Sequence, residues 1–147
     1  MPDFEPRDAA YEQRVRESFA RQRAMETFGA HLLRVAPGEV EIGFDFKEEF
    51  TQQHGYLHAG VVAALVDTAC GYAALSLTEP GAEVLSVEFK LNLLSPAAGR
   101  TFVARARVVR SGRNVTVCAG DLYALKDEGD EKIVATMLAT MMKMVKQ

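Results

Sequence analysis

The 147 residues include no tryptophan, two cysteines and three histidines, and they carry a net charge of only −3. Each scarcity removes a class of explanation. Cys70 and Cys118 lie far apart, both in apolar segments, and neither has the spacing of a zinc site, a redox motif or a disulfide framework; both read as reduced packing residues. So small an acidic excess leaves no broad basic surface to neutralise nucleic-acid phosphates, and no nucleic-acid partner is expected. The amino terminus, Met-Pro-Asp-Phe-Glu-Pro-Arg-Asp, has early acids and no apolar run after a basic start. It is unlike a secretory signal, and a cytoplasmic location is the expectation. No Gly-x-x-x-x-Gly-Lys loop is present, which argues against a nucleoside-triphosphate site. The one long apolar run, Ala59 to Leu77, contains a single charge, Asp67. It is built mainly of Ala, Gly, Val and Thr rather than Leu, Ile and Phe, so it reads as a buried helix and not as a membrane span.

What is present is one domain's worth of chain, 48% hydrophobic and 25% charged. Tyr11, Val15 and Phe19 recur at spacings of four among Glu, Arg and Gln, predicting one amphipathic helix from about Pro6 to Arg23. Two strands, His31 to Val35 and Glu39 to Phe46, flank the turn signal Pro37-Gly38. A polar loop, Thr51 to Leu57, leads into the apolar helix. Beyond Pro80-Gly81, Leu85, Val87, Phe89, Leu91 and Leu93 alternate with Ser86, Glu88, Lys90 and Asn92, the period of a strand whose odd-numbered residues form the buried face. Three further strands are predicted: Phe102 to Val108, Val115 to Leu125, and about Ile133 to Met144. This order implies an α+β architecture in which a largely antiparallel sheet covers a single central helix.

Asp67 stands out because its helical neighbours, Ala63, Ala64, Cys70 and Gly71, are small and nearly all apolar. A carboxylate in that setting is costly unless hydrogen bonds, a water-filled cleft or a subunit boundary compensates it. Eight residues earlier the helix starts at His58-Ala59-Gly60, where backbone N–H groups lack intrahelical acceptors and carry the positive end of the helix dipole. Ala59 and Gly60 are small enough to let a substrate carbonyl approach those amides; close helix packing explains them equally well. At ~1.5 Å per residue, the Ala59 amide and Asp67 are roughly 12 Å apart. One carbonyl cannot meet both. If both serve one substrate carbonyl, the carboxylate must come from a second antiparallel copy of the helix, which requires a homodimer with shared active sites.

Gln52-Gln53-His54-Gly55-Tyr56-Leu57-His58-Ala59-Gly60, followed by Leu65-Val66-Asp67 and downstream by Ser86-Val87-Glu88-Phe89 and Leu94-Ser95-Pro96, resembles the signature of hotdog-fold acyl-CoA thioesterases related to the phenylacetate-pathway and 4-hydroxybenzoyl-CoA enzymes. The resemblance implies a hotdog domain over residues 30–147, with residues 1–29 as an N-terminal helical extension. By the same resemblance Asp67 is nucleophile or general base, the Ala59 N–H polarises the thioester carbonyl, Gln52 orients the carbonyl or the attacking water, and His58 organises the helix entrance. Two positions depart from the family pattern: Ala59 replaces the first glycine of the common His-Gly-Gly entrance, and Gln52 stands where Asn is frequent. An alanine still donates its N–H and Gln retains the amide. Ser86 matches a hydroxyl near the water, yet alternation puts it opposite the Leu85, Val87 and Phe89 face, away from the helix. Arg110 and Arg113 flank Ser111-Gly112 and suit CoA phosphates, or serve simply as solvated turn cations.

The expected reaction is hydrolysis of acyl-CoA to a carboxylic acid and CoA without a metal or other cofactor. Abundant aliphatic side chains and the lack of Trp favour medium or long aliphatic acyl groups over aryl ones. A dimer follows from the geometry, and a tetramer is the larger assembly that the family implies. Two alternatives share the fold: a non-catalytic acyl-CoA-binding or sensing protein, which has no need of Asp67, and an enoyl-thioester hydratase, which leaves the thioester intact.

Overall fold

A computed structural model describes residues 3–145. Two short helices, α1 (Tyr11–Ala20) and α2 (Arg23–Phe28), precede strands β1 (His31–Ala36) and β2 (Glu39–Asp45), a 3₁₀ turn (Glu48–Phe50) and the long helix α3 (Ala59–Leu75). Four strands follow: β3 (Ala82–Leu93), β4 (Thr101–Ser111), β5 (Val115–Leu125) and β6 (Glu131–Val145). They form one six-stranded sheet in the order β1-β2-β4-β5-β6-β3, with every neighbouring pair antiparallel. The α+β architecture predicted from the pattern is the one observed, with α3 packed against strands β2 to β6. No helix among the described residues is long and apolar enough to cross a membrane.

Period-two alternation delivers the inner face of three strands. Val40, Ile42 and Phe44 of β2, Phe102, Ala104, Ala106 and Val108 of β4, and Cys118, Gly120, Leu122 and Ala124 of β5 are all buried beneath α3. The helix lies so close to β5 that a Cβ at Gly120 would come within 2.8 Å of Val66 Cγ1 and 2.9 Å of Cys70 Sγ. Gly120→Ala should therefore destabilise the fold by ~1–3 kcal/mol through overpacking, read as a lowered urea midpoint. An unchanged midpoint would mean that α3 is free to lift off the sheet.

The single N-terminal helix expected over Pro6 to Arg23 is instead two helices, with Gln22 between them in an extended conformation (φ −84°, ψ 99°). The packing explains the break. Val15 and Met25 are both 1% exposed, but on one straight helix Met25 would be rotated roughly 80° away from the Val15 stripe, given ~3.6 residues per turn. Breaking the helix lets both reach the core. Arg14 then ties α1 to the end of α3, its guanidinium donating to the Ala82 carbonyl (3.0 Å) and to the Thr78 carbonyl (2.8 Å).

Strand β3 departs most from its sequence pattern. Leu85 and Val87, expected on the buried face, are 60% and 57% exposed. The reason is a β-bulge against β6, where the register passes from Ser86↔Met141 to Glu88↔Thr140 and leaves Val87 unpaired. The extra residue reverses which parity faces the core. Before it, Val84 and Ser86 face the helix; after it, Phe89 and Leu91 lie opposite the buried Ala139 and Met137. β3 is also an edge strand of the sheet.

Candidate active site

Of the residues singled out in the sequence, Gln52, Ala59, Asp67 and Ser86 fall into two cavities at different points along α3. In the first, of about 420 Å³, Ala59 at the start of the helix is lined up with Gln52, Tyr56, Val62, Leu93, Leu94 and Pro96. His58 is the N-cap, and its Nδ1 accepts a hydrogen bond from the Gly60 N–H (2.8 Å). Glycine leaves room for that bond, because a Cβ at position 60 would stand 3.0 Å from His58 Nδ1 and crowd the imidazole. It also commits the Gly60 amide to the imidazole. The Ala59 N–H has no hydrogen-bond partner among the described residues and lies at the positive end of the helix dipole.

Gln52 is held as firmly. Its side-chain carbonyl oxygen accepts from the backbone N–H groups of His54 (2.6 Å) and Tyr56 (3.3 Å), while its own backbone N–H donates to the Tyr56 carbonyl (2.9 Å). With the oxygen engaged by the loop, what Gln52 retains for the cavity is its amide N–H donors. Ala59 and Gln52 both line this cavity, and both carry N–H donors.

The second cavity, of about 330 Å³, holds Asp67, Thr68, Gly71 and Tyr72 of α3, Glu83 to Ser86 of β3, Met141 of β6, and Ser18 and Gln22 from the N-terminal segment. Asp67 is half-buried, and its Oδ1 accepts a hydrogen bond from the Ser86 hydroxyl at 2.7 Å. Alternation pointed Ser86 away from the helix; the bulge at Val87 turns it toward α3 instead. Ser18, Gln22, Thr68 and Tyr72 were not recognised in the sequence, because their proximity depends on how α1 and α2 dock on α3. Their mixture of polar and aromatic types at helical spacing carries no signal of its own.

No residue lines both cavities. Arg110 and Arg113 lie elsewhere, exposed near the β4–β5 turn, and among the described residues neither joins an ion pair. The two cysteines are buried, with the Cys118 Sγ 3.4 Å from the Cys70 carbonyl oxygen. Burial pushes the Cys70 thiol well above its ordinary value and the Cys118 thiol up to about 12, so neither is poised as a thiolate nucleophile.

Against known proteins, residues 54–130, the span from the His54 loop through Asp67 and Ser86 into the β5–β6 turn, match the family model of the thioesterase superfamily. The chain belongs to the thioesterase superfamily. A solved thioesterase family protein from Silicibacter pomeroyi superposes with a TM-score of 0.90 at 50% identity, covering 92% of this chain and 99% of that one. Human acyl-coenzyme A thioesterase 13 is 37% identical over 92 residues, 62% of this chain, and the match spans less than two thirds (65%) of the human protein. The E. coli PaaI protein from the phenylacetic acid degradation operon shares the fold, with a TM-score of 0.81 at 20% identity over 91% of this chain and 93% of that protein. Both cavities of this thioesterase-superfamily chain draw residues from the matched span, whereas Ser18 and Gln22 lie before it.

Proposed function

We propose that the protein hydrolyses acyl-CoA thioesters at a site shared between two copies of the chain. The observation that carries this reading is the division of the chemistry: the carboxylate and the free helix-terminal amide sit in separate cavities of one protomer, yet both cavities border the same edge strand. Ser86 serves the Asp67 cavity and Leu93 the Ala59 cavity, seven residues apart on β3. A twofold axis between Phe89 and Lys90, pairing β3 antiparallel with its copy, brings Ser86 of one chain opposite the second copy of Leu93.

Two features support such pairing. Val87, Phe89 and Leu93 are 57%, 43% and 57% exposed on a twelve-residue edge strand, an edge that would otherwise invite aggregation. On α3, the partly exposed residues flanking Asp67 include Gly60, Ala63, Ala64 and Gly71, small enough for a second helix to approach.

In the composite site the thioester oxygen accepts from the Ala59 N–H and the Gln52 amide of one chain, and Asp67 of the other chain supplies the carboxylate. Asp67 either takes a proton from water as the water adds to the carbonyl carbon, or itself adds to that carbon to give a transient anhydride, which water then cleaves to release the acid and restore the carboxylate. In both routes the negative charge gathers on the carbonyl oxygen, the C–S bond breaks, and CoA leaves as thiolate and is reprotonated. A single turnover in oxygen-labelled water that puts label into Asp67 establishes an anhydride opened at the Asp67 carbonyl, whereas label in the product acid alone rejects opening at that carbonyl. No metal or other cofactor enters either route. Arg110 and Arg113 are assigned to the CoA phosphates as point charges near the β4–β5 turn.

The test is free-CoA release from a panel of short, medium, long and aryl acyl-CoAs. Turnover of at least one class is the expected result, and the panel also reads the medium- or long-chain aliphatic preference anticipated from composition. Tight binding without release from any ester would replace this reading with the acyl-CoA-binding one.

A further inference from the structure

The end of the Asp67 cavity away from the carboxylate is unusually polar for a pocket that must take an acyl group. Gln22, from the break between α1 and α2, donates from Nε2 to the Tyr72 hydroxyl (3.1 Å), and its side-chain oxygen lies 3.4 Å from the Thr68 hydroxyl. Tyr72 OH is in turn 3.2 Å from the Ser18 hydroxyl. All four residues line the cavity. Gln22 lies seven residues after Val15 and four after Ser18, so at ~3.6 residues per turn it keeps to their face of the N-terminal segment, just where α1 gives way to α2.

We propose that Gln22 is a specificity-determining residue, the polar stop of the acyl cavity, and that it favours short acyl groups bearing a neutral oxygen at the far end, in place of the medium- or long-chain aliphatic groups anticipated from composition. This rests on the thioesterase reading of the same site. Tyr72 lies five residues beyond Asp67 on α3, roughly 7.5 Å of helix rise at ~1.5 Å per residue, which is the reach of a short chain and not of a long one. The network has donors to spare. Gln22 Nε2 carries two N–H groups and makes one hydrogen bond among the described residues, and when Tyr72 donates to Ser18 the serine O–H is also available. Surplus donors suit a hydroxyl or keto oxygen. They would suit a carboxylate too, but Glu83 lines the same cavity and its charge opposes a second anion. A plain alkyl end would leave these donors facing hydrocarbon, which is unfavourable.

The experiment compares kcat/KM for hexanoyl-CoA, ω-hydroxyhexanoyl-CoA and hexanedioyl-CoA in the native protein and in Gln22→Leu. The ratio of two esters within one preparation does not depend on how much of the protein is folded, so a partly destabilised variant still gives an answer. The native protein is expected to prefer the hydroxyacyl ester over hexanoyl-CoA by roughly tenfold, the worth of about one hydrogen bond, and to turn over hexanedioyl-CoA more slowly than either. In Gln22→Leu the preference should vanish or reverse. Tyr72→Phe, which removes the hydroxyl that holds Gln22, should weaken it in the same direction and serves if Gln22→Leu does not fold. A native ratio near one, or the same ratio in native and variant proteins, overturns the assignment of Gln22 while leaving the hydrolase intact. No CoA release from any ester, including those of the wider panel, overturns the hydrolase reading beneath it.

Discussion

Asp67→Asn should lower kcat for every acyl-CoA that the native protein hydrolyses by roughly 10²- to 10⁴-fold, the range that a positioned general base contributes. The substitution is close to isosteric, and the asparagine side-chain oxygen can still accept the Ser86 hydroxyl that Asp67 accepts at 2.7 Å. The fold should persist, so lost turnover accompanied by an unchanged unfolding midpoint isolates the carboxylate's chemistry from its packing. Measured as free-CoA release, equal rates in the two proteins would remove Asp67 from the reaction and with it the composite site. Retained substrate binding alongside lost turnover is the expected pattern, since the amide donors at Ala59 and Gln52 belong to the other cavity.

Two inactive chains should rescue one another. Asp67→Asn disables the carboxylate half of the site, and Gly60→Val is chosen to disable the amide half, because its Cβ begins 3.0 Å from His58 Nδ1 and its branched methyls crowd the imidazole that caps the helix. Refolded separately, each should be nearly inactive. Refolded together in equal amounts with random pairing, half of the dimers carry one chain of each kind, and in each such dimer one of the two sites inherits both intact halves. Activity should return to about a quarter of the native level. A mixture no more active than its parts would show that each protomer works alone, and the twofold pairing through β3 would have to be abandoned. Few structural defects mimic this result, because recovery demands that the two halves come from different chains.

Much of this was legible before any coordinates. The α3 helix, the strands β2, β4 and β5, and the turns at Pro37-Gly38 and Ser111-Gly112 follow from chain stereochemistry: a helix repeats every ~3.6 residues and a strand every two, so apolar spacing reports which kind of element a segment forms. Asp67 was visible as one carboxylate in an apolar run. Its distance from the Ala59 amide was legible too, since the rise of a helix does not depend on what surrounds it. Those local regularities determined the fold class and the principal candidate carboxylate, and they motivate the proposal of a second chain.

The remainder depended on contacts between segments distant in sequence. Whether Ser86 faces α3 was decided by the bulge at Val87, a mismatch of register between β3 and β6 that alternation within β3 alone does not reveal. Whether Gly60 or Ala59 offers a free amide was decided by the His58 imidazole folding back onto Gly60. The position of Gln22 beside Thr68 and Tyr72, forty-six and fifty residues away, was decided by how the N-terminal helices dock on α3. Periodicity is a property of one segment, whereas register, docking and side-chain pairing are properties of two, and only the tertiary structure supplies the second.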